Sequence, residues 1–296
     1  MDIKSLRYFL AVTEEGNITK AAKRLCIAQP PLSRQLQLLE EELGVVLFQR
    51  GKRRIQLTEE GYYLKRQAEE ILALMEKTRS QLGQMGNSLC GQVSIGVVET
   101  CGGSILPDLA EGFHSQYPDV SFQIWSGNGD EVTDKLNRSL VDMAILREPF
   151  YIEQCESIFL RQEPWVAVMS RDHPLAGGAD EIELSALGQE PLMISVRPSL
   201  QDEILNWFNE ISEERKIFCY YNSVASVIPM VEHGTGIAIS PESVKSFTSG
   251  RNLVYKKIIH PQHDSRLYLV RRRYQLPPAA AGAFWDYTKK KYCDKD

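Results

Sequence analysis

The sequence predicts an α/β protein in three parts: a small helical head ending in a β-hairpin, one long helix, and a large body. Three observations support this. Apolar residues recur at helical spacing from residue 3 to residue 39, and a longer helical stripe runs from 64 to 85. From residue 92 onward, short apolar runs alternate with amphipathic segments. A chain of 296 residues has room for two or three domains, and we place the head at 1–58, the long helix at 59–88 and the body at 89–296.

The head is predicted to contain three helices. The first covers Ile3–Glu15 and ends at Gly16, because glycine readily adopts the left-handed conformation of a helix terminus. Asn17 is a suitable N-cap for the second helix. A turn at residues 26–27 leads to a third helix that opens on two prolines, where a missing N–H costs little. The side chains expected to face the core are Ile18, Ala21, Ala22, Leu25, Leu32, Leu36 and Leu39.

The third helix leaves a polar face outside, formed by Gln29, Ser33, Arg34 and Gln35. A helix-turn-helix presents the start of its second helix to base edges in the DNA major groove. Arginine bridges the two acceptors of guanine, glutamine pairs with adenine, and serine reaches a phosphate or a base. This spacing therefore predicts a DNA-reading helix.

Residues 47–58 follow with two short apolar-bearing runs around a glycine and a basic tip, which is typical of a β-hairpin wing. Arg50, Lys52, Arg53 and Arg54 would touch DNA backbone or enter a narrow minor groove. The alternative is a solvated basic loop. Residues 1–58 carry a net charge of +4 while the whole chain carries −5, which leaves −9 on the rest. A basic head on an acidic body favours the DNA-binding interpretation.

These features resemble the LysR-type transcriptional regulators over the full length of the chain. The residues that carry the resemblance in the head are 6–9, 21–22, 29–35, 38–40, 43–44, 47–48, 50 and 57–61. It implies a winged helix-turn-helix in which Gln29, Ser33 and Arg34 contact the groove, Arg53 enters the minor groove and Thr58 meets the backbone. The full predicted DNA-binding set is Gln29, Pro30, Ser33, Arg34, Gln35, Arg50, Arg53, Arg54 and Thr58.

The long helix is predicted to start after Thr58, with Glu59 and Glu60 favourably placed in its first turn. Its apolar stripe alternates spacings of four and three, as in a coiled-coil seam: Leu64, Ala68, Ile71, Met75, Thr78, Leu82 and Met85. One alternative is that the stripe packs on its own head, but a length of roughly 40 Å at 1.5 Å per residue argues against this. We therefore expect a homodimer, and the resemblance implies antiparallel pairing and a homotetramer.

The body is predicted to alternate strands and helices from Gln92 onward. Its motifs at 106–107, 113, 117–118, 142–145, 173–175, 231–238 and 241 resemble the family's effector domain. The resemblance implies a two-lobed, periplasmic-binding-protein-like α/β domain, with lobe I at about 92–161 and 267–296 and lobe II at about 162–266. A small-molecule effector would bind between the lobes, and RNA polymerase is expected as a further partner beside double-stranded DNA.

Ligands of open α/β sheets bind outside the carboxyl ends of the strands. That rule selects the effector candidates Thr100, Cys101, Gly102, Ser104, Trp125, Asn128, Arg147, Ser195, Arg197 and Asn222. Either arginine is able to hold a carboxylate, and Trp125 is able to cover an apolar part, so we expect a small organic anion. The alternatives are helix caps for the hydroxyls of Thr100 and Ser104, an ion pair with Glu148 or another surface acid for Arg147, and core packing for Trp125. The resemblance favours Thr100 and Ser195.

Other classes of protein are not favoured. The sequence has no apolar run near the ~20 residues of a membrane span and no signal peptide, so we expect a cytoplasmic protein without membrane contact. Its six cysteines form no C-x-x-C and its five histidines no metal spacing, so neither a metal, a cofactor nor an enzyme is expected. The remaining alternatives are a small-molecule binding module, or an oxidant-sensing regulator that uses its cysteines.

Overall fold

The computed structural model describes residues 1–50, 55–83, 89–152, 154–211, 215–259, 263–273 and 277–293. The chain divides into two compact units, Met1–Met85 and Gly86–Asp296. The first is mainly helical and the second is a mixed α/β body, so the predicted fold class is confirmed.

The head contains helices α1 (Ile3–Glu15), α2 (Ile18–Arg24) and α3 (Gln29–Leu43), followed by strands β1 (Phe48–Arg50) and β2 (Ile55–Leu57), which pair antiparallel. The predicted signals are confirmed: Gly16 ends α1 at φ 59°, and the side chain of Asn17 accepts from the N–H of Lys20. The tip of the hairpin, with Lys52, Arg53 and Arg54, and the side chain of Arg50 lie outside the described residues.

One apolar core holds the three helices and the hairpin together. Leu32, Leu36 and Leu39 of α3 are buried in it, as predicted, and Ala21 and Ala22 are buried where α2 passes close to its neighbours. Ile18 and Leu25 are partly buried against the same core. The buried leucines fix which side of α3 faces outward.

The long helix is α4 (Glu59–Gly83). The prediction that its whole apolar stripe is free to pair with a second copy is wrong for the first part of the helix. Its first two seam residues, Leu64 and Ala68, are buried in the head's own core, because α4 packs along α1. Gly61 permits this approach, since a Cβ there would lie 2.3 Å from the carbonyl oxygen of Leu47. Farther along, Ile71 and Leu74 are 39% and 53% exposed. The unpartnered stripe therefore starts one to two turns later than the sequence suggested, and Leu82 and Met85 fall outside the described side chains.

The body is built on one connected sheet with helices on its faces. Its elements are β3 (Gly91–Val98), α5 (Glu99–Gly102), α6 (Leu106–Gln116), β4 (Val120–Gly127), α7 (Gly129–Asn137), β5 (Met143–Arg147), β6 (Cys155–Ser170), β7 (Glu181–Glu183), β8 (Pro191–Ser195), α8 (Pro198–Glu210), β9 (Lys216–Tyr221), α9 (Val224–Glu232), β10 (Ile237–Pro241), α10 (Val244–Phe247), β11 (Leu253–Ile259), β12 (Asp264–Arg272) and α11 (Ala279–Cys293). The strand order among the described residues is β4-β3-β5-β12-β6-β10-β8-β9, and β11 pairs with β6 and β7.

Strand β6 divides the body into two lobes. Its first part pairs with β12, up to Pro164 opposite Asp264, and from Trp165 onward it pairs with β10 and β11. Lobe I has one core between the sheet and helices α6 and α11, and a second core under α7. Lobe II has its own cores under α8 and α9. The sequence predicted only the second half of β6, and it missed β7, β11 and the short helix α10.

Candidate functional site

The outer side of α3 presents the polar residues that the sequence selected. Gln29, Pro30 and Arg34 are exposed, while Ser33 and Gln35 are half-buried. Pro30 and Arg34 point away from the buried leucines, Ser33 and Gln35 flank them, and Gln29 is exposed because it begins the helix. Guanidinium, amide and hydroxyl groups on the first turns of a surface helix form a donor and acceptor set that suits the edges of base pairs.

A shallow groove of about 450 Å³ runs beside this face. Arg34 and Gln35 form one wall, and Lys4 and Tyr8 of α1 lie across from them. The ammonium of Lys4 lies 5.5 Å from the centroid of the Tyr8 ring. Sequence reasoning missed this second cation beside the recognition helix, although the i, i+4 spacing of Lys4 and Tyr8 on a predicted helix was available as a signal.

Thr58 has a role different from the predicted DNA contact. Its hydroxyl donates to the carbonyl oxygen of Val46 (2.7 Å) and accepts from the N–H of Gly61 (2.9 Å). A phosphate oxygen only accepts, and the hydroxyl hydrogen of Thr58 is already donated within the head. Thr58 is the cap of α4, as its place before that helix predicts, and its contact with the DNA backbone stays a prediction.

In the body, the segment after β3 lies where the lobes meet, and a Cβ at Gly103 would lie 3.3 Å from Oγ of Ser246 in α10. Thr100 and Cys101 lie in α5 and are 6% and 0% exposed, and their side chains are 3.8 Å apart. The hydroxyl of Ser104 donates to the carbonyl oxygen of Cys101. Gly102 is half-buried, and a Cβ there would meet Val97 and Ser126 at van der Waals distance.

Trp125 lies away from the segment that follows β3, which corrects its prediction as an effector contact beside Thr100. Side chains alternate between the faces of a strand, and Ser126 is the neighbour that faces Gly102. Trp125 pairs with Gly96, on the face covered by α7, and the ammonium of Lys135 lies 4.2 Å from its ring centroid. Trp125 is 41% exposed on an edge strand, so the structure does not bring it together with Thr100.

Asn128, predicted as an effector contact, is a helix cap in the structure. Its side-chain oxygen accepts from the N–H groups of Asp130 and Glu131, and the carboxylate of Glu131 accepts from the N–H of Asn128. This capping box fixes the start of α7. The oxygen of Asn128 is thus engaged locally.

Arg147 does not offer a free guanidinium to a carboxylate, because it is already in a buried ion pair. Its Nη2 lies 2.5 Å from Oε1 of Glu163, and both side chains are at most 3% exposed. The remaining contacts of the guanidinium are with Ser243, Ser265 and Cys101. The prediction of Arg147 as a direct effector anchor is therefore corrected. Arg147 forms an ion pair, as the alternative stated, but its partner is the buried Glu163 and not Glu148 or another surface acid.

Arg197 also has an acid partner. Its Nε donates to Oδ1 of Asp130 (2.9 Å) and its Nη2 to the carbonyl oxygen of Pro149 (2.6 Å). The side chain is packed so closely on the start of α7 that a Cβ at Gly129 would lie 2.7 Å from Nη1. Ser195 accepts a hydrogen bond from the N–H of Arg197, and holds the turn that carries it. Arg197 therefore joins lobe II to lobe I.

A second connection between the lobes is made by Glu99, which was not among the predicted effector residues. Its carboxylate accepts from the hydroxyl of Ser223 and from the N–H groups of Val224 and Ala225. Asn222, a predicted contact, precedes this group and is exposed. No local signal in the sequence links Glu99 to a helix that begins 125 residues later.

An open cavity of about 570 Å³ lies beside β6 and β12, where the two lobes join. Acidic and aromatic side chains dominate its lining, which comprises Glu148, Pro149, Phe150, Trp165, Glu203, Asp264, Ser265 and Arg266. Burial raises the pKa of Glu203 above its ordinary value, and the charge of Arg147 opposes this shift. None of the predicted effector residues lines this cavity.

Within the described part of the chain, no three His, Cys, Asp or Glu side chains come together in a way that would hold a metal ion. No helix among the described residues is both long and apolar enough to cross a membrane.

Comparison with known proteins gives a consistent set of matches. Residues 3–62 match the model of the bacterial regulatory helix-turn-helix protein, lysR family, and residues 86–292 match the LysR substrate binding domain. The HTH-type transcriptional regulator BsdA of Bacillus subtilis (strain 168) is 32% identical over 246 residues, which cover 81% of this chain and 84% of BsdA. The crystal structure of CbnR, a LysR family transcriptional regulator, superposes with a TM-score of 0.84 at 25% identity over 100% of both chains. Full-length CbnR in complex with its target DNA superposes with a TM-score of 0.83 at 25% identity, over 98% of this chain and 99% of CbnR.

Proposed function

The chain belongs to the LysR family of ligand-responsive, DNA-binding transcriptional regulators, and from this premise we propose how its own residues divide the work. Residues 1–58 read promoter DNA, 59–88 pair two copies, and 89–296 bind a small organic acid between the lobes. The observation that carries the proposal is the outward face of α3. Arg34 is exposed on a helix whose opposite side is buried at Leu32, Leu36 and Leu39, and Gln29 is exposed in its first turn.

The DNA contact is proposed to combine base reading with attraction to phosphate. Arg34, Gln29 and Ser33 read base edges, and the net charge of +4 on residues 1–58 supplies a sequence-independent attraction. Lys4, across the groove from Arg34, adds a cation that is suitably placed for a phosphate. CbnR, which superposes on this chain, has been crystallised with its target DNA.

Pairing of two copies is proposed to use the distal part of α4. Ile71 and Leu74 expose apolar surface there, one turn beyond the residues that α4 buries in the head. Two such helices would bury these side chains against each other and place two recognition helices on one DNA site. We propose a homodimer on this basis, a tetramer as its further assembly, RNA polymerase as the partner at the promoter, and a cytoplasmic place of action.

The effector is proposed to be a small organic acid that binds where the two lobes meet. Thr100 offers a buried hydroxyl there, and Ser195 holds the turn of Arg197. The donors that an acid requires are the guanidinium of Arg197 and the N-terminus of α9, and both belong to lobe II. A ligand that contacts both lobes changes the angle between them only if it binds one arrangement better than the other.

The test of the DNA-binding role is the affinity for the promoter next to the protein's own gene, measured by fluorescence anisotropy at several salt concentrations. Wild-type protein should bind specifically, with log affinity falling linearly as log salt rises. Arg34→Ala should cost about 1–3 kcal/mol of specific binding and leave non-specific binding nearly unchanged. Arg138→Ala, which removes an equal charge from an ion pair in the body, is the matched control. Unchanged specificity in Arg34→Ala would contradict the assignment of α3.

A chain that served only as a small-molecule binding module would behave differently. It would bind the promoter fragment and a scrambled fragment of equal length with the same weak affinity at each salt concentration. That outcome would refute the proposed regulation of transcription and leave the effector cleft as the remaining function.

A further inference from the structure

The cavity beside β6 and β12, called the hinge cavity below, is lined by more negative than positive charge. Glu148, Glu203 and Asp264 bring three carboxylates to its wall and Arg266 brings one guanidinium, which gives these four side chains a formal net charge of −2. Its volume of about 570 Å³ lies within the range of small-molecule sites. The cavity is therefore large enough for an organic ligand, and its charge has the wrong sign for the organic acid proposed at Arg197.

Glu203 of lobe II lacks a partner for its charge. It is half-buried in α8, and within the part of the chain that the structure describes it has no hydrogen bond and no ion pair. Burial raises its pKa, and the charge that opposes this shift, that of Arg147, is already paired with Glu163. A half-buried carboxylate interacts with a cation more strongly than a fully solvated one does, because water screens it less.

Two aromatic rings line the same cavity. Phe150 of lobe I packs edge-to-face on Tyr268 with ring centroids 5.7 Å apart, and Trp165 packs in the same way on Trp207 at 5.3 Å. These contacts hold both rings in place before a ligand binds. Cations bind favourably over the faces of aromatic rings, most strongly over tryptophan.

The indole N–H of Trp165 is a further group without a partner. Trp165 is 3% exposed, and its Nε1 is buried with no acceptor within hydrogen-bond distance among the described residues. An indole N–H only donates. An unpaired buried donor on a residue that lines a cavity is the kind of group that an oxygen atom of a ligand satisfies.

A metal ion does not account for the acidic lining. The three carboxylates belong to separate elements, since Glu148 follows β5, Glu203 lies in α8 and Asp264 begins β12. They do not form one of the groups of three that would hold a metal, and the described part of the chain contains no such group. Charge that is spread along a cavity wall suits an organic cation better than a single ion.

We propose that the hinge cavity binds an organic amine, whose ammonium group pairs with Glu203 and whose body lies against Phe150 and Trp165. This is a second ligand site, lined by none of the residues proposed for the organic acid, and it takes the opposite charge. Because Glu203 belongs to lobe II and Phe150 to lobe I, the amine contacts both lobes. It therefore favours whichever arrangement of the lobes it binds better.

The test is a calorimetric titration of the full-length protein with tyramine, which combines an ammonium group, an aromatic body and a phenol oxygen. Tyrosol has the same body with a hydroxyl in place of the ammonium group, and 4-hydroxyphenylacetate carries a carboxylate there. Tyramine should bind saturably at one site per chain. Both matched compounds should bind at least about tenfold more weakly, because neither brings a positive charge to Glu203.

Two variants locate the site in both lobes. Glu203→Gln keeps the shape of the side chain and should weaken the binding of tyramine by about tenfold or more. Phe150→Leu keeps an apolar contact without the ring and should weaken it by about threefold. Asp202→Asn removes an equal charge from an exposed neighbour on α8 and should bind tyramine as the wild type does.

Three results would overturn the proposal: equal affinity for tyrosol, unchanged affinity in Glu203→Gln, or no saturable binding of tyramine up to about 10 mM, beyond the range of weak specific binding. If Phe150→Leu fails to fold, the comparison of tyramine with tyrosol in the wild-type protein still decides. The titration needs neither DNA nor an organic acid, so its failure is distinct from a failure of promoter binding or of the acid site.

Discussion

Oε1 of Glu163 lies 2.5 Å from Nη2 of Arg147, and neither side chain is more than 3% exposed. The N–H and the hydroxyl of Ser243 also donate to Glu163, at 2.9 and 3.1 Å. Arg147 ends β5 in lobe I, while Ser243 follows β10 in lobe II. The buried pair therefore lies where the lobes are tied together by their shared strands, and its acid is bound by groups from both lobes.

The first prediction concerns this pair. Arg147→Met should lower the free energy of unfolding of the body by about 3–5 kcal/mol, because it leaves the carboxylate of Glu163 buried without its closest partner. We expect a loss at the lower end of this range, because Arg161, 39% exposed and 3.1 Å from Oε2, still neutralises part of the charge of Glu163. The double variant Arg147→Met, Glu163→Leu should recover much of it. Urea unfolding of the full-length chain measures both, and a double variant whose loss equals the sum of the single losses would contradict the coupling.

The second prediction uses one substitution at two helical glycines. Gly61→Ala should destabilise the head by several kcal/mol, since the new Cβ would lie 2.3 Å from the carbonyl oxygen of Leu47 and 2.9 Å from Leu57. Gly282→Ala in α11 should stabilise the body by roughly 0.5–1 kcal/mol, because its nearest neighbour is Pro277 Cγ at 3.6 Å and alanine is the better helix former. Calorimetry of both variants measures the opposite signs. A stable Gly61→Ala head would show that α4 is able to shift away from the hairpin.

The sequence was sufficient for features that depend on near neighbours. The bounds of α1, its end at Gly16 and the cap at Asn17 follow from residues within one turn of each other, and each is confirmed. Whether Leu64 packs in its own head or against a second copy was not predictable in the same way. A heptad stripe reports that a helix has an apolar side, and tertiary packing decides whether that side meets its own head or a second copy.

The candidate site was predictable as a set of segments but not as a set of interactions. Two of the segments chosen after strand ends contact the opposite lobe, since Glu99 contacts the start of α9 and Arg197 contacts the start of α7. The acid that pairs with each arginine lies elsewhere in the sequence, Glu163 for Arg147 and Asp130 for Arg197. The orientation of Trp125 depends on the pleat of β4, and a shift of one residue moves a side chain to the other face.

The third prediction concerns acid pH. His263 stacks on Trp207 with ring centroids 4.4 Å apart, and burial lowers its pKa despite the nearby Glu210 and Asp264. The folded state therefore binds this proton less readily than the unfolded state. Its stabilising contribution is complete above the ordinary histidine pKa of about 6.5 and is lost as the pH falls toward the lowered value. His263→Phe keeps the stacking and should reduce the loss of Tm between neutral and mildly acidic pH. An identical loss in both proteins would exclude His263 as the cause.

The last prediction separates ligand-responsive from oxidant-sensing behaviour at Cys101. The thiol is 0% exposed, and burial raises its pKa, although Arg147, 3.4 Å from Sγ, acts in the opposite direction. A buried thiol with a raised pKa holds little thiolate, which is the form that reacts with alkylating agents and peroxide. Iodoacetamide at neutral pH should therefore label the exposed Cys26 and Cys293 first, and Cys101 more slowly by on the order of a hundredfold, because its reaction requires local opening.

Mass spectrometry over a time course measures the order, and the same reaction in denaturant, where the thiols should react at similar rates, is the control. If native Cys101 reacted as fast as Cys26, the cleft would contain an accessible thiolate, and oxidant sensing would become the better account of what the body detects.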